Sequence, residues 1–112
     1  MKVSHPNLIK VYDVGRDPDT GLAYMLMEYV SGGSLKQSLK QRMAQGTGPY
    51  TVSDALSIVR QVADALSAVA KHGIVHRDVK PDNILFDSLG NVRLTDLGVA
   101  KGDVESDVTS PL

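Results

Sequence analysis

The chain reads as an α+β fold, and three observations lead there. Two strand-like runs near the start flank a dense turn, a long amphipathic helix occupies the middle, and three short strand-like pieces close the chain around charged loops. With 112 residues, of which 42% are apolar, the chain is at most one domain with a modest core. Aromatic residues make up only 4%, so that core is mostly aliphatic.

Met1 to Asn7 offers little local structure, since Pro6 disfavours helix at His5. Leu8 to Val14 alternates apolar and polar residues, as a half-buried strand does, with Leu8, Lys10 and Tyr12 on one face and Ile9, Val11 and Val14 on the other. Arg16-Asp17-Pro18-Asp19-Thr20-Gly21 is rich in turn formers and leads to a second run, Leu22 to Val30. That run is more continuously apolar, which predicts a strand covered on both faces and paired antiparallel with the first. Ser31-Gly32-Gly33-Ser34 breaks it, and Ser34 is placed to cap a helix through Leu35, Leu39 and Met43. Gly46, Gly48 and Pro49 end that helix.

A longer helix is predicted from Val52 to His72. Val52, Ala55, Leu56, Val59, Val62, Ala63, Leu66, Val69 and Ala70 recur at steps of three and four, giving one broad apolar face of ordinary core. Thr51 and Asp54 resemble a capping box at its start, and Gly73 stands at its end. Ile74-Val75, Ile84-Leu85-Phe86 and Val92-Arg93-Leu94 then read as short strands, with Ser88 to Asn91 a hairpin turn between the last two. The tail from Gly102 is polar and acidic.

Composition excludes several functions. Lys+Arg number 12 and Asp+Glu 13, a net charge of −1, and basic clusters are absent, so nothing favours nucleic acid or an anionic membrane. Cysteine is absent, which excludes disulfide and thiolate chemistry. No apolar run approaches a membrane span, and the start lacks the plan of a signal peptide. The expectation is a cytoplasmic piece with no membrane segment.

The chemistry lies in His76-Arg77-Asp78-Val79-Lys80-Pro81-Asp82-Asn83 and in Thr95-Asp96-Leu97-Gly98, on loops at the ends of short strands. Asn83 and Asp96 have the oxygen donors that bind Mg²⁺, Lys80 can neutralise phosphate charge, and Asp78 can accept a proton from a hydroxyl. Taken singly, Asp78, Lys80 and Asn83 are ordinary loop residues. Their joint spacing with Asp96 is what carries weight. His72 and His76 are four apart, but Gly73 ends the helix between them and argues against a zinc pair.

In these motifs the chain resembles the protein kinases, most closely the bacterial serine/threonine type, with Lys80 two residues after Asp78 as in the serine/threonine pattern. The resemblance implies a protein-kinase-like fold and phosphoryl transfer from ATP to a Ser/Thr hydroxyl of a protein substrate, with Mg²⁺. It implies that Asp78 is the proton acceptor, that Lys80 contacts the transferred phosphate, and that Asn83 and Asp96 hold the metal. Met27-Glu28-Tyr29-Val30 is similar to the gatekeeper and hinge: Met27 limits the pocket, the backbones of Glu28 and Val30 bond the adenine edge, and Leu85 packs under the ring with Leu35 below. His76, Leu97 and Val11 resemble the apolar stack between lobes, and Leu97 stands where Phe is usual. Arg77 implies control by phosphorylation of the activation loop.

On this reading 1–30 are small-lobe strands and hinge, 31–101 begin the large lobe and hold the catalytic loop, and 102–112 start a flexible activation segment. The glycine-rich phosphate loop, the third-strand lysine and its glutamate partner are not among the 112 residues. The isolated chain is therefore expected to be inactive. The alternative is a non-catalytic truncated kinase, a pseudokinase-like binding fragment.

Overall fold

The computed structural model describes residues 3–73 and 79–95. The strand expected at Ile74-Val75, together with His76, Arg77, Asp78, Asp96, Leu97 and the acidic tail, lies outside the described residues. The elements run β1 (Val11–Arg16), β2 (Ala23–Met27), α1 (Leu35–Gln45), α2 (Val52–Ala70), a 3-10 turn (Pro81–Asn83), β3 (Ile84–Phe86) and β4 (Val92–Leu94). They form an α+β arrangement of two small antiparallel hairpins and two helices.

The β1–β2 pair is antiparallel as expected, but its first strand starts three residues later than the alternation suggested. Leu8 and Ile9 are both buried because this stretch runs beside β4: Leu8 bridges Leu94 in parallel, and Ile9 N–H donates to the Leu94 carbonyl at 2.9 Å. The imperfect alternation further on also has a cause. Val11 faces Met27, while Asp13 faces Leu26, so Tyr12 is an extra residue in the ladder. The bulge brings Val11 and Val14 to one face although they are three apart.

The expectation that the second strand is covered on both faces is not met among the described residues. Leu22, Tyr24 and Leu26 are exposed and only Met25 of β2 is half-buried, because this hairpin has no layer packed on its outer face there. The turn between the strands is closed by Asp17, whose N–H donates to the Leu22 carbonyl and whose carboxylate accepts the Asp19 N–H.

Helix α1 begins in a complete capping box. Ser34 Oγ accepts the Gln37 N–H at 3.1 Å and Gln37 Oε1 accepts the Ser34 N–H at 2.9 Å. It ends at Gly46, whose left-handed conformation (φ 68°) turns the chain away. Helix α2 starts on Thr51, whose Oγ1 accepts the Asp54 N–H, and it stops at Ala70, two residues short of the expected His72. There Lys71, His72 and Gly73 donate back to Ser67, Val69 and Ala70 and unwind the last turn.

Helix α2 packs against β4. Its buried stripe is Ala65 and Val69, flanked by half-buried Ala55, Ile58, Val62 and Leu66, and it meets Leu8, Ile84, Val92 and Leu94 in one cluster. Val52, Leu56 and Val59, expected in the same face, are exposed. Ile58 and Ala65, absent from the expected face, take part in the packing instead.

Candidate functional site

The loop sequence folds locally for a simple reason. Lys80 is extended (φ −155°, ψ 163°), and Pro81 then begins a 3-10 turn with a φ its ring already favours. The turn closes when Asn83 N–H donates to the Lys80 carbonyl at 2.9 Å. Asn83 emerges 5% exposed, and its carbonyl accepts two bonds from Thr95, from N–H at 2.9 Å and from Oγ1 at 3.1 Å. Asn83 thus continues the β3–β4 ladder, in which Ile84 faces Leu94 and Leu85 faces Arg93. Thr95 precedes Asp96 in the sequence, so the bonded Asn83–Thr95 pair joins one expected metal ligand to the residue before the other. An amide oxygen and a carboxylate are the hard donors that Mg²⁺ prefers, and the donor chemistry therefore fits that ion.

Six of the eight expected site residues are described. Lys80 is exposed on the turn, Leu85 is half-buried on β3, Met27 ends β2, and Glu28 and Val30 are half-buried in the irregular segment after it. The segment beyond Val30 is bonded to β3. Gly32 N–H donates to the Phe86 carbonyl at 2.8 Å, Phe86 N–H to the Gly33 carbonyl at 2.9 Å, and Ser34 bridges Leu85. A Cβ on Gly32 would stand 2.5 Å from Phe86 O and 2.8 Å from Asp87 O, so only glycine permits this approach. Leu85 and the connection from Met27–Val30 are tied together by that contact. Asp78 and Asp96 lie outside the described residues.

Sequence reasoning missed a polar network around this site. Glu28 N–H donates to the Lys10 carbonyl at 2.9 Å, and Glu28 Oε1 accepts both Lys10 N–H at 2.9 Å and Arg93 Nη1 at 2.8 Å. Arg93 Nε stands 3.6 Å from Asp87 Oδ2. Desolvation acts to raise the Asp87 pKa, but amide donors from Asn91 and Leu89 and the charge of Arg93 outweigh it, so the carboxyl sits below its ordinary range. Asn7 is a second junction: its Nδ2 donates to Gln61 Oε1 and to the Val92 carbonyl, while Gln61 Oε1 also accepts Val92 N–H. A charged residue between buried Val92 and Leu94 was the one available signal for Arg93.

A cleft of about 830 Å³ opens between α1, the first half of α2 and the end of β3. It is lined by Gly32, Gln37, Tyr50, Ile58 and Phe86 among others, and none of the six described site residues borders it. Within its lining Ser38 is bonded to Tyr50 and Gln61 to Ser57, and Gln37 is held by Ser34 outside it. The described site residues lie away from this cleft.

Comparison with known proteins gives the family. The model of the protein kinase domain matches residues 1–110. Serine/threonine-protein kinase PrkC of Bacillus subtilis is 40% identical over 98 residues, covering 88% of this chain and 14% of that protein. A probable serine/threonine-protein kinase of Clostridium perfringens, CPE1738, is 48% identical over 99 residues, covering 88% of this chain and 13% of that protein. Serine/threonine-protein kinase PknA of Mycobacterium tuberculosis is 38% identical over 110 residues, covering 96% of this chain and 24% of that protein. The chain spans between 13% and 24% of these relatives' lengths. With the model matched over nearly every residue and the turn, hairpins and helices in place, the chain belongs to the protein kinase domain family.

Proposed function

We propose that this chain carries the hinge, catalytic-loop and metal-binding parts of an ATP-dependent protein serine/threonine kinase. The reaction transfers the γ-phosphoryl group of ATP to a Ser/Thr hydroxyl of a protein substrate. A bond forms from the hydroxyl oxygen to phosphorus, the bond to the β-phosphate oxygen breaks, and ADP leaves. Asp78 takes the hydroxyl proton, and Lys80 balances charge on the transferred group. Asn83 and Asp96 would hold Mg²⁺, which when bound would supply neutralisation of phosphate charge. The Glu28 N–H is engaged by Lys10, so Glu28 meets adenine through its carbonyl and Val30 through its N–H. Met27 bounds the pocket and Leu85 packs under the ring.

One observation carries this reading: Lys80, Asn83 and Leu85 share a single turn-and-strand unit, and the connection from Met27–Val30 is hydrogen-bonded to that unit at Phe86. Positioning is most of what phosphoryl transfer asks of a protein, and such a unit supplies it. Family membership and the names of the relatives support the same reading. The division at 30/31, between small-lobe strands with hinge and the start of the large lobe, precedes that attachment, and 102–112 open the activation segment. Supply of ATP suits work in the cytoplasm, and no helix among the described residues is long and apolar enough to cross a membrane.

The test is to express the protein from its complete gene and measure transfer of labelled phosphate from Mg²⁺-ATP to a generic protein substrate. Asp78→Asn is expected to reduce turnover by at least about a hundredfold. Undiminished phosphorylation by that variant would remove Asp78 from the role.

A further inference from the structure

Between Met27 and Gly32 the backbone has few anchors. Glu28 N–H is bonded to Lys10 and Gly32 N–H to Phe86, and Tyr29 between them is 88% exposed. The orientation of the Glu28–Val30 peptides therefore depends on how Glu28 itself is held. Its Oε1 accepts one donor from Lys10, just before β1, and one from β4, the latter being Arg93 Nη1 at 2.8 Å. Both side chains are mostly buried, 23% exposed for Arg93 and 17% for Glu28, so the pair is only weakly screened. The guanidinium favours this partner over Asp87: its Nε is buried without a hydrogen bond among the described residues and remains 3.6 Å from Asp87 Oδ2. Asp87, fixed by the Leu89 and Asn91 amides, acts as a backstop that keeps the arginine aimed at Glu28.

We propose that Arg93 is a positioning residue for purine recognition, acting through the Glu28 carboxylate to fix the angle of the hinge peptides. This rests on the nucleotide-site reading given above. A fixed Glu28 carbonyl accepts from the amino group of adenine and opposes the carbonyl that guanine presents at the same position. Rigid placement of one acceptor therefore gives discrimination as well as affinity. A loosened hinge would rotate that acceptor away and lose the difference.

The protein expressed from its complete gene is compared with Arg93→Met and Arg93→Lys. Steady-state kcat and KM are measured for ATP, GTP and the protein substrate, with thermal unfolding alongside. In Arg93→Met the ATP-over-GTP ratio of kcat/KM is expected to fall about tenfold, through KM for ATP, with kcat and the protein-substrate KM within about twofold. Arg93→Lys keeps the charge and is expected to restore most of the preference. If Arg93→Met does not fold, Glu28→Gln replaces it: the amide oxygen still accepts Lys10 N–H and can accept Arg93 Nη1, but the charge attraction that aims the guanidinium is gone, and a smaller fall in preference, about threefold, is expected. An unchanged ratio in the folded variant overturns the proposal, and so does a parallel change in kcat and all three KM values, which would mark general loosening. Wild-type protein that neither binds nor turns over ATP would refute the kinase reading itself, and this inference with it.

Discussion

Gly32→Ala is the sharpest single-atom perturbation of the site's scaffold. The added Cβ would lie 2.5 Å from Phe86 O, 2.8 Å from Asp87 O and 2.8 Å from Phe86 Cβ. Two of these are main-chain oxygens, which cannot rotate aside. Relief to an ordinary C···O separation of about 3.3 Å needs a retreat of roughly 0.8 Å. That retreat carries the Gly32 N···Phe86 O distance from 2.8 Å to about 3.6 Å, beyond hydrogen-bonding range. Losing this bond and straining the reciprocal Phe86 N–H bond costs about 1–3 kcal/mol, and residual crowding adds about 1 kcal/mol. The alanine returns about 0.4–1 kcal/mol by narrowing the unfolded ensemble. The net loss is about 2 kcal/mol, a factor of roughly 30 in local opening.

The assay is amide hydrogen exchange at position 32 and at Phe86 in the protein from its complete gene, with denaturant unfolding alongside. Gly46→Ala is the control. Gly46 has φ 68° and open space within 4 Å of where an added methyl would stand, so it bears only left-handed strain of about 1 kcal/mol and should leave exchange at Phe86 unchanged. Protection at Phe86 that survives Gly32→Ala, or an equal loss from Gly46→Ala, would refute the argument that close approach is why glycine stands there.

Leu94→Ala removes the side chain at the junction of α2, β3 and the Leu8–Ile9 stretch, where Leu94 is fully buried; a loss of about 3 kcal/mol in denaturant unfolding is expected, and under about 1 kcal/mol would show that this cluster is not the core. The Asp87 carboxyl is held below its ordinary pKa of about 3.9, so its stabilising effect is complete above that value and is lost as pH falls through the lower folded-state pKa. Asp87→Asn is therefore expected to lower stability at neutral pH and to flatten the stability profile below about pH 4, and an acid profile identical to the wild type would count against it.

Local features were legible in the sequence because their causes are local. Ser34 and Thr51 cap the helices they precede, and Arg16 to Gly21 and Ser88 to Asn91 turn the chain between paired strands. The segment bearing Lys80 and Asn83 read only as a loop; its 3-10 closure comes from Pro81 and the Asn83–Lys80 hydrogen bond. What could not be read is set by partners distant in the chain. Leu8 and Ile9 are buried by β4 rather than by strand alternation, and Arg93 finds Glu28 across 65 positions. Asn7 finds Val92 across 85 positions, although Met1 to Asn7 carries no local signal of structure. The bulge at Tyr12 is invisible to a period of two because it breaks that period.

Helix α2 shows why a strong periodic pattern still misassigns a core. Its apolar residues form two adjacent stripes, one through Ala55, Ile58, Val62, Ala65 and Val69, the other through Val52, Leu56, Val59, Ala63, Leu66 and Ala70. Each stripe alone satisfies the three-and-four spacing, so periodicity merges them and cannot say which edge meets β4. Residue size does not separate the stripes, since Ile58, Val62 and Val69 on the first are as bulky as Val59 on the second. The distant partners do, because Leu8, Ile84, Val92 and Leu94 gather on Ala65 and Val69. The consequence is energetic. Val52, Leu56 and Val59 are 77%, 63% and 62% exposed, and at about 1.5–2 kcal/mol for each large aliphatic side chain they leave roughly 5 kcal/mol of burial unrealised. That is as large as the whole stability of many domains. The hairpin that follows Lys80 and Asn83 is thus held through Ala65 and Val69, while Val52, Leu56 and Val59 of α2 contribute little burial among the described residues.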